Sequence, residues 1–196
     1  MVPGSSPLID DERQLATRAS RGDEGAFELL VDRYLERTLR VALRMVGNRE
    51  DAEDVVQDTF ARAHTHLSRF HGRSSFGTWI TSICINLCLD HERARKRRPS
   101  LLSIESATEE DASMRWDDGP SRRVQRRETE IRLERAIESL PRRLRAALVL
   151  RVLQGLDYDV VAESLGTTVR SARIYVSEAR RRLAQTLDKD LRGEQQ

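Results

Sequence analysis

Apolar residues recur at three- and four-residue spacing through most of the chain, and the pattern is cut by a few glycines and prolines. After Gly22, Asp23 is placed to cap a helix carrying Phe27, Leu30, Val31, Tyr34, Val41, Ala42 and Met45 as its apolar stripe. Gly47 ends that helix and Asn48 opens the next, whose buried stripe is Ala52, Val55, Val56, Phe60 and Ala63. Asp51, Asp54 and Asp58 fall on its opposite face. Residues 68–77, SRFHGRSSFG, break the periodicity and read as a loop with two phenylalanines. A long helix is expected from about Thr78 to Arg97, with Ile80, Ile83, Leu87 and His91 inside, and Pro99 stops it.

Periodicity then vanishes from Pro99 to about Ser121, a stretch rich in Ser, Asp and Glu that reads as a flexible linker. Helices resume near Arg122: one carrying Ile131, Leu133, Ala136, Ile137 and Leu140, one opened by Pro141 and running to Gln154, one capped by Asp157, and one capped by Thr168 that runs to about Leu187. The expected fold is all-α, two small helical domains joined by a flexible linker, the second domain with a helix-turn-helix. The segments are an N-terminal extension with a first helix (1–24), a first domain (25–98), the linker (99–121), a second domain (122–188) and a tail (189–196).

Composition agrees with two small units. Of 196 residues, 38% are hydrophobic, 5% aromatic and 34% charged, a thin apolar supply for one large core. No apolar run is long enough to span a membrane, and the N-terminus has neither a basic start nor an apolar stretch, so a cytoplasmic protein is expected. The net charge of +2 is uninformative, but its distribution is not. Arginines gather at 93–98 and 170–182, while residues 105–118 hold six acids against one Arg, which suggests separate anionic contacts. Cys84 and Cys88, one helical turn apart, suit small apolar packing positions better than a disulfide or, with His91, a metal face. No metal site and no cofactor are expected. No phosphate loop is present, and His64, His66, His71 and His91 lack a metal-ligand spacing, so no enzyme is expected.

Three segments carry candidate chemistry. Near the C-terminus, Ala162 and Gly166 stand four apart among Val161, Leu165, Val169 and Ala172, the pattern of two closely crossing helices with a tight turn between them. The second of these helices turns Val169, Ala172, Val176, Ala179 and Leu183 inward. It turns Arg170, Ser171, Arg173, Ile174, Ser177 and Arg180–Arg182 outward, where its first turns suit base edges and its later arginines suit phosphates. An ordinary helical hairpin with a charged face gives the same pattern. At 69–79, basic and aromatic residues interleave (Arg69, Phe70, His71, Arg73, Phe76, Trp79), as single-stranded nucleic acid requires, although Phe76 and Trp79 taken singly suit a core. The basic end at Arg93, Arg95, Lys96, Arg97 and Arg98 equally suits a helix C-terminal dipole. In NREDAEDVVQDTFARAH, the acids of the first turns favour the helix dipole, and as a row they also suit a basic protein partner.

On these residues the chain resembles the extracytoplasmic-function sigma factors of bacteria, of the sigma-70 family. DAEDVVQDTFARA (51–63) is similar to the family's polymerase-binding motif, FHGRSSFGTWITSICINLCLDHERARKR (70–97) to its promoter-melting loop and helix, and SLPRRLRAALVLRVLQGLDYDVVAESLGTTVRSARIYVSEARRRL (139–183) to its promoter-reading domain. The resemblance implies a non-catalytic factor whose partners are core RNA polymerase, promoter DNA and an anti-sigma factor. It implies that Asp51, Glu53, Asp54, Val55, Gln57 and Asp58 dock on the polymerase. It places Arg69, Phe70, His71, Arg73, Ser74, Ser75, Phe76, Trp79, Asn86, Arg93 and Arg97 on a melted −10 element, with a base flipped into the loop. It matches Arg173, Ile174 and Ser177 to positions that read a −35 duplex, and with the start and outward face of the same helix the expected −35 contacts are Thr168, Arg170, Ser171, Arg173, Ile174, Ser177, Arg180 and Arg181. The chain departs from the family's common basic-Ser-basic run with Arg173-Ile174-Tyr175, and carries Glu178 where a basic residue is frequent. The rival from another class is a helix-turn-helix regulator that acts without polymerase; it leaves the acidic helix and the aromatic loop without a task.

Overall fold

The computed structural model describes residues 7–70, 72, 74–97 and 120–193, with side chains described over 12–68, 70, 72, 74–95 and 128–189. The described residues form helices α1 (Pro7–Ser20), α2 (Glu24–Val46), α3 (Arg49–His66), α4 (Phe76–Arg97), α5 (Pro120–Glu138), α6 (Arg142–Leu148), α7 (Tyr158–Ser164) and α8 (Val169–Gly193), with no strand among them. They divide into two units, the first built on α1 to α4 and the second on α5 to α8.

In the first unit α1 and α4 both pack on α2. The Asp23 carboxylate accepts the Ala26 N–H at 3.0 Å, as an N-cap should. Leu30, Tyr34, Val41, Ala42 and Met45 are buried as expected, joined by Ala26 and Thr38, while Phe27 and Val31 are only half-buried. Phe27 lies edge-on to His64 of α3, with ring centroids 4.9 Å apart. Three threonines lie inside this unit, and each hydroxyl donates to the carbonyl one turn back on its own helix: Thr38 to Tyr34, Thr59 to Val55 and Thr81 to Gly77.

The inner face of α4 differs from the expected one. The buried residues are Phe76, Ile80, Thr81, Cys84, Ile85, Cys88 and Leu89, whereas Ile83, Leu87 and His91 are half-buried. Ile80, Cys84 and Cys88 are packed as their types suggested, but Ile85 and Leu89 take the places expected for Ile83 and Leu87. The close approach of α4 to α2 rewards small residues: a Cβ on Gly77 would stand 2.5 Å from Cε1 of Tyr34. Both cysteines are free and buried, and contact with Cys84 together with burial pushes the Cys88 thiol far up. Helix α4 also starts two residues earlier than the pattern suggested, and Leu67–Arg69 forms a 3-10 turn where loop was expected.

In the second unit α5, α6 and α7 all pack on α8. Ile137, Leu140, Leu144, Leu148 and Ala179 form its core, with Tyr175 and Leu183 packed against it. Ile131 and Leu133, expected inside, are 40% and 37% exposed, and among the described side chains of α5 only Ala136 and Ile137 are buried. Arg145 is buried and donates through Nη2 to the carbonyls of Glu138 and Leu140, which closes the α5–α6 corner. Pro141 stands one place before α6, and the helix expected to run on to Gln154 passes into a π-helical turn at Val149–Leu153. Asp157 precedes α7 as expected but does not cap it with its side chain; its carboxylate faces Arg151 at 3.4 Å. Helix α8 runs to Gly193, past the expected end. The linker expected over 99–121 lies outside the described residues except at Pro120 and Ser121, which are helical.

Candidate nucleic-acid and polymerase interface

The turn between α7 and α8 follows from Gly166. With φ at +57° it takes the left-handed conformation, the Gly166 N–H donates to Glu163 and the Thr167 N–H to Ala162. Helices α7 and α8 pack on each other, and Val161, Ala162 and Leu165 on one side and Ala172 and Val176 on the other are buried. The start of α8 is fixed by Thr168, whose hydroxyl accepts the Ser171 N–H at 3.1 Å and meets the Ser171 hydroxyl at 3.0 Å. Ser171, expected outward, is therefore half-buried in a cap. Arg170, Arg173, Ile174, Ser177, Arg180 and Arg181 are exposed on the face away from the core.

Two features of this face go beyond the reading of the sequence. Tyr158, the first residue of α7, carries the Arg151 guanidinium 4.7 Å from its ring centroid and that of Arg173 at 5.0 Å. Tyr158 and Arg173 stand on different helices and leave no local signal. Glu178 accepts two hydrogen bonds from Arg181, at 2.9 and 2.7 Å, and one from Arg182 at 2.7 Å. These bonds, those from Arg181 foremost, hold the Glu178 carboxyl at about 2, below its ordinary 4.5. A depressed carboxyl pKa means that the unfolded chain takes up the proton first. The pairing therefore stabilises α8 fully above pH 4.5 and is lost as pH falls through about 2. A carbon-detected NMR titration of the Glu178 carboxyl is expected to place its midpoint near 2; a midpoint at 4.5 would mean that the two arginines are released in solution.

In the first unit, Ser75 caps α4 by accepting the Thr78 N–H at 3.1 Å. Phe70 is half-buried, its ring 5.2 Å from Trp79 and 5.7 Å from Phe76, and Phe76 in turn lies 5.7 Å from Trp79 and 5.6 Å from Tyr34. Phe76 is 0% exposed, so it offers no face to a base; it anchors the other rings. Phe70 and Trp79 keep partly open faces, Ser74 and Ser75 are accessible, and Asn86 and Arg93 are exposed further along α4, Arg93 paired with Asp90 at 2.8 Å. His71 and Arg73, and the side chains of Arg69 and Arg97, lie outside the described residues.

On α3, Glu53, Asp54, Gln57 and Asp58 are exposed. Val55 is 3% exposed and belongs to the core, so it is not available for docking. Asp51 is not an open acid either: its carboxylate bridges to α4, 3.5 Å from His91 Nε2 and 3.7 Å from Arg95 Nη1. Among the described residues no group of three His, Cys, Asp or Glu side chains is placed to hold a metal ion, and no helix is long and apolar enough to cross a membrane.

Region 2 of the sigma-70 family matches residues 30–98, and region 4 of the same family matches residues 130–183. The RNA polymerase sigma-H factor of Pseudomonas aeruginosa is 36% identical over 187 residues, 93% of this chain and 97% of that protein. The ECF RNA polymerase sigma-E factor of Escherichia coli strain K12 is 32% identical over 173 residues, 86% and 90% of the two chains. The chain belongs to the extracytoplasmic-function sigma factors of the sigma-70 family. As a sigma factor it directs promoter-specific initiation of transcription by RNA polymerase, and neither match indicates a catalytic family. Two solved structures share the fold. CnrH, in complex with the cytosolic domain of CnrY, superposes with a TM-score of 0.66 at 26% identity, covering 92% of this chain and 99% of that one. RpoE of Bartonella quintana, in complex with the anti-sigma factor NepR, gives 0.66 at 25% identity, covering 83% and 96%. A regulator acting without polymerase is not favoured by these matches.

Proposed function

We propose a division of labour among three surfaces. The exposed acids of α3, Glu53, Asp54 and Asp58, together with Gln57 and with Asp51 at their edge, dock on a basic element of core polymerase. The loop before α4, with Phe70, Trp79 and the exposed Asn86 beyond it, receives an unpaired base of the −10 element. The exposed face of α8 reads the −35 duplex through Arg170, Arg173, Ile174 and Ser177, while Arg180 and Arg181 meet phosphates. The domains that carry these surfaces are residues 25–98 and 122–188. Binding energy alone drives opening: a pocket that accepts only an unstacked base shifts the duplex toward the melted state without nucleotide hydrolysis. The factor works in the cytoplasm, where its polymerase is, and an anti-sigma partner fits the related RpoE, solved with the anti-sigma factor NepR.

The observation that carries the reading is the alternation along α8. Ala172, Val176 and Ala179 are sealed in the core while Arg173, Ile174 and Ser177 between them face solvent from a capped helix start. Run-off transcription with core polymerase tests it. Arg173→Ala is expected to cost about 1–3 kcal/mol at the −35 duplex and to relax preference at one base pair. Arg180→Ala should instead weaken all sequences alike and lower the salt slope. Equal, sequence-independent losses from both would show that α8 lies on the backbone and reads nothing.

A further inference from the structure

Glu12 is an acid on an apolar stripe. It stands in register with Leu15, Ala16 and Ala19 on α1 and is only 9% exposed. Both of its oxygens are engaged: the Tyr34 hydroxyl of α2 donates to Oε2, and the backbone N–H of Phe76, the first residue of α4, donates to Oε1. The hydrogen bond to Glu12 adds to burial in raising the Tyr34 phenol well above its ordinary range. Helix α1 packs on the 3-10 turn Leu67–Arg69, where the aromatic loop begins, and on α4, where it ends. One carboxylate therefore ties α1 and α2 to the exit of the loop.

An apolar residue at position 12 would extend the stripe of α1 without desolvating a charge, so holding α1 in place does not call for a carboxylate. What a carboxylate does, and leucine cannot, is fix a backbone N–H. The first N–H groups of α4 have no partner within the helix, and an acid beside them also complements the helix dipole. Ser75 takes the Thr78 N–H; Glu12 takes that of Phe76. The Phe76 ring supports Phe70 and Trp79, so fixing this residue fixes the aromatic platform beneath the loop.

We propose that Glu12 is a positioning residue for base capture: acting through Phe76 and Tyr34, it sets the loop that receives the −10 base, and so governs promoter opening from a helix outside the loop and outside α4. This rests on the reading of the loop as the base-capturing element.

The test uses the full chain with core polymerase and compares Glu12→Leu, Glu12→Gln and a protein in which His71–Ser75 is replaced by two glycines. Glu12→Leu strands the Tyr34 hydroxyl and the Phe76 N–H, so it is expected to melt a few degrees lower, yet at the assay temperature to bind core polymerase and closed promoter within about twofold of the parent. Its opening rate, read by permanganate at the −10 element, should fall about tenfold, as for the loss of one hydrogen bond to a charged group. Glu12→Gln retains an acceptor for the Phe76 N–H and should recover part of that loss. In a Trp116→Phe background, the response of Trp79 emission to single-stranded −10 DNA should weaken in Glu12→Leu. Opening at the parental rate by Glu12→Leu, with failure of the loop-shortened protein, would overturn the role of Glu12 and leave the loop reading intact. Normal opening by both would overturn the two together. A parallel loss of core binding and opening in both Glu12 variants would reduce Glu12 to a residue of the fold.

Discussion

Replacing His71–Ser75 with two glycines is expected to abolish open-complex formation on duplex promoters while leaving the closed complex nearly intact. The closed complex depends on α8 and on docking through α3, and neither includes the loop. Opening requires that an unpaired base find a site better than its stack. A base held against an aromatic face gains on the order of 1–3 kcal/mol, comparable to the cost of unpairing a base at a weak step, so one site suffices to nucleate a bubble. Phe70 and Trp79 supply the partly open faces, with Phe76 buried behind them. A template with a pre-melted −10 region removes the unpairing cost and should partly rescue the shortened protein. Permanganate footprints on both templates measure this, and normal opening of the duplex would remove base capture from the first unit.

Charge reversal on α3 should act at an earlier step. Asp54→Arg with Asp58→Arg is expected to weaken core polymerase binding about a hundredfold or more, since like charges set against a basic surface cost several kcal/mol. Both residues are exposed, so far-UV circular dichroism and the melting temperature should change little. Asp51 is a poorer choice, because its carboxylate bridges His91 and Arg95 of α4 and reversal would also disturb that contact. Undiminished co-purification of the double variant with core polymerase would end the docking assignment.

The periodicity of the chain was enough to anticipate the helices, because interrupted stripes such as Leu30, Tyr34, Val41 and Met45 follow directly from one-sided burial. The inner face of α4 was less legible. Cys84, Cys88 and Ile80 are readable as packed positions, whereas Thr81, Ile85 and Leu89 are not, and a polar residue such as Thr81 counts as interior only once a neighbouring helix comes close. The candidate surfaces rest on charge, aromatic content and the family resemblance, and some of their members, Val55 and Phe76 in the core and Ser75, Thr168 and Ser171 in caps, are structural, since a motif does not separate the residues that touch a partner from those that hold the surface in shape. Glu12, Arg151 and Tyr158 were overlooked for a different reason. Glu12 and Tyr158 act through groups on other helices, Arg151 through the turn that follows its own, and Glu12 alone left a trace, as a charge at a stripe position.

The threonines inside the first unit bear on how such a domain can change over generations. Thr38, Thr59 and Thr81 each satisfy their hydroxyl on their own helix, so exchange for valine or alanine at one of them calls for no compensating change on a neighbouring helix. Glu12, Tyr34 and the start of α4 are joined across three helices, and a change in one strands the others. Sequence drift in this domain is therefore expected to run freely through its threonines and to pass the Glu12 junction only by concerted replacement.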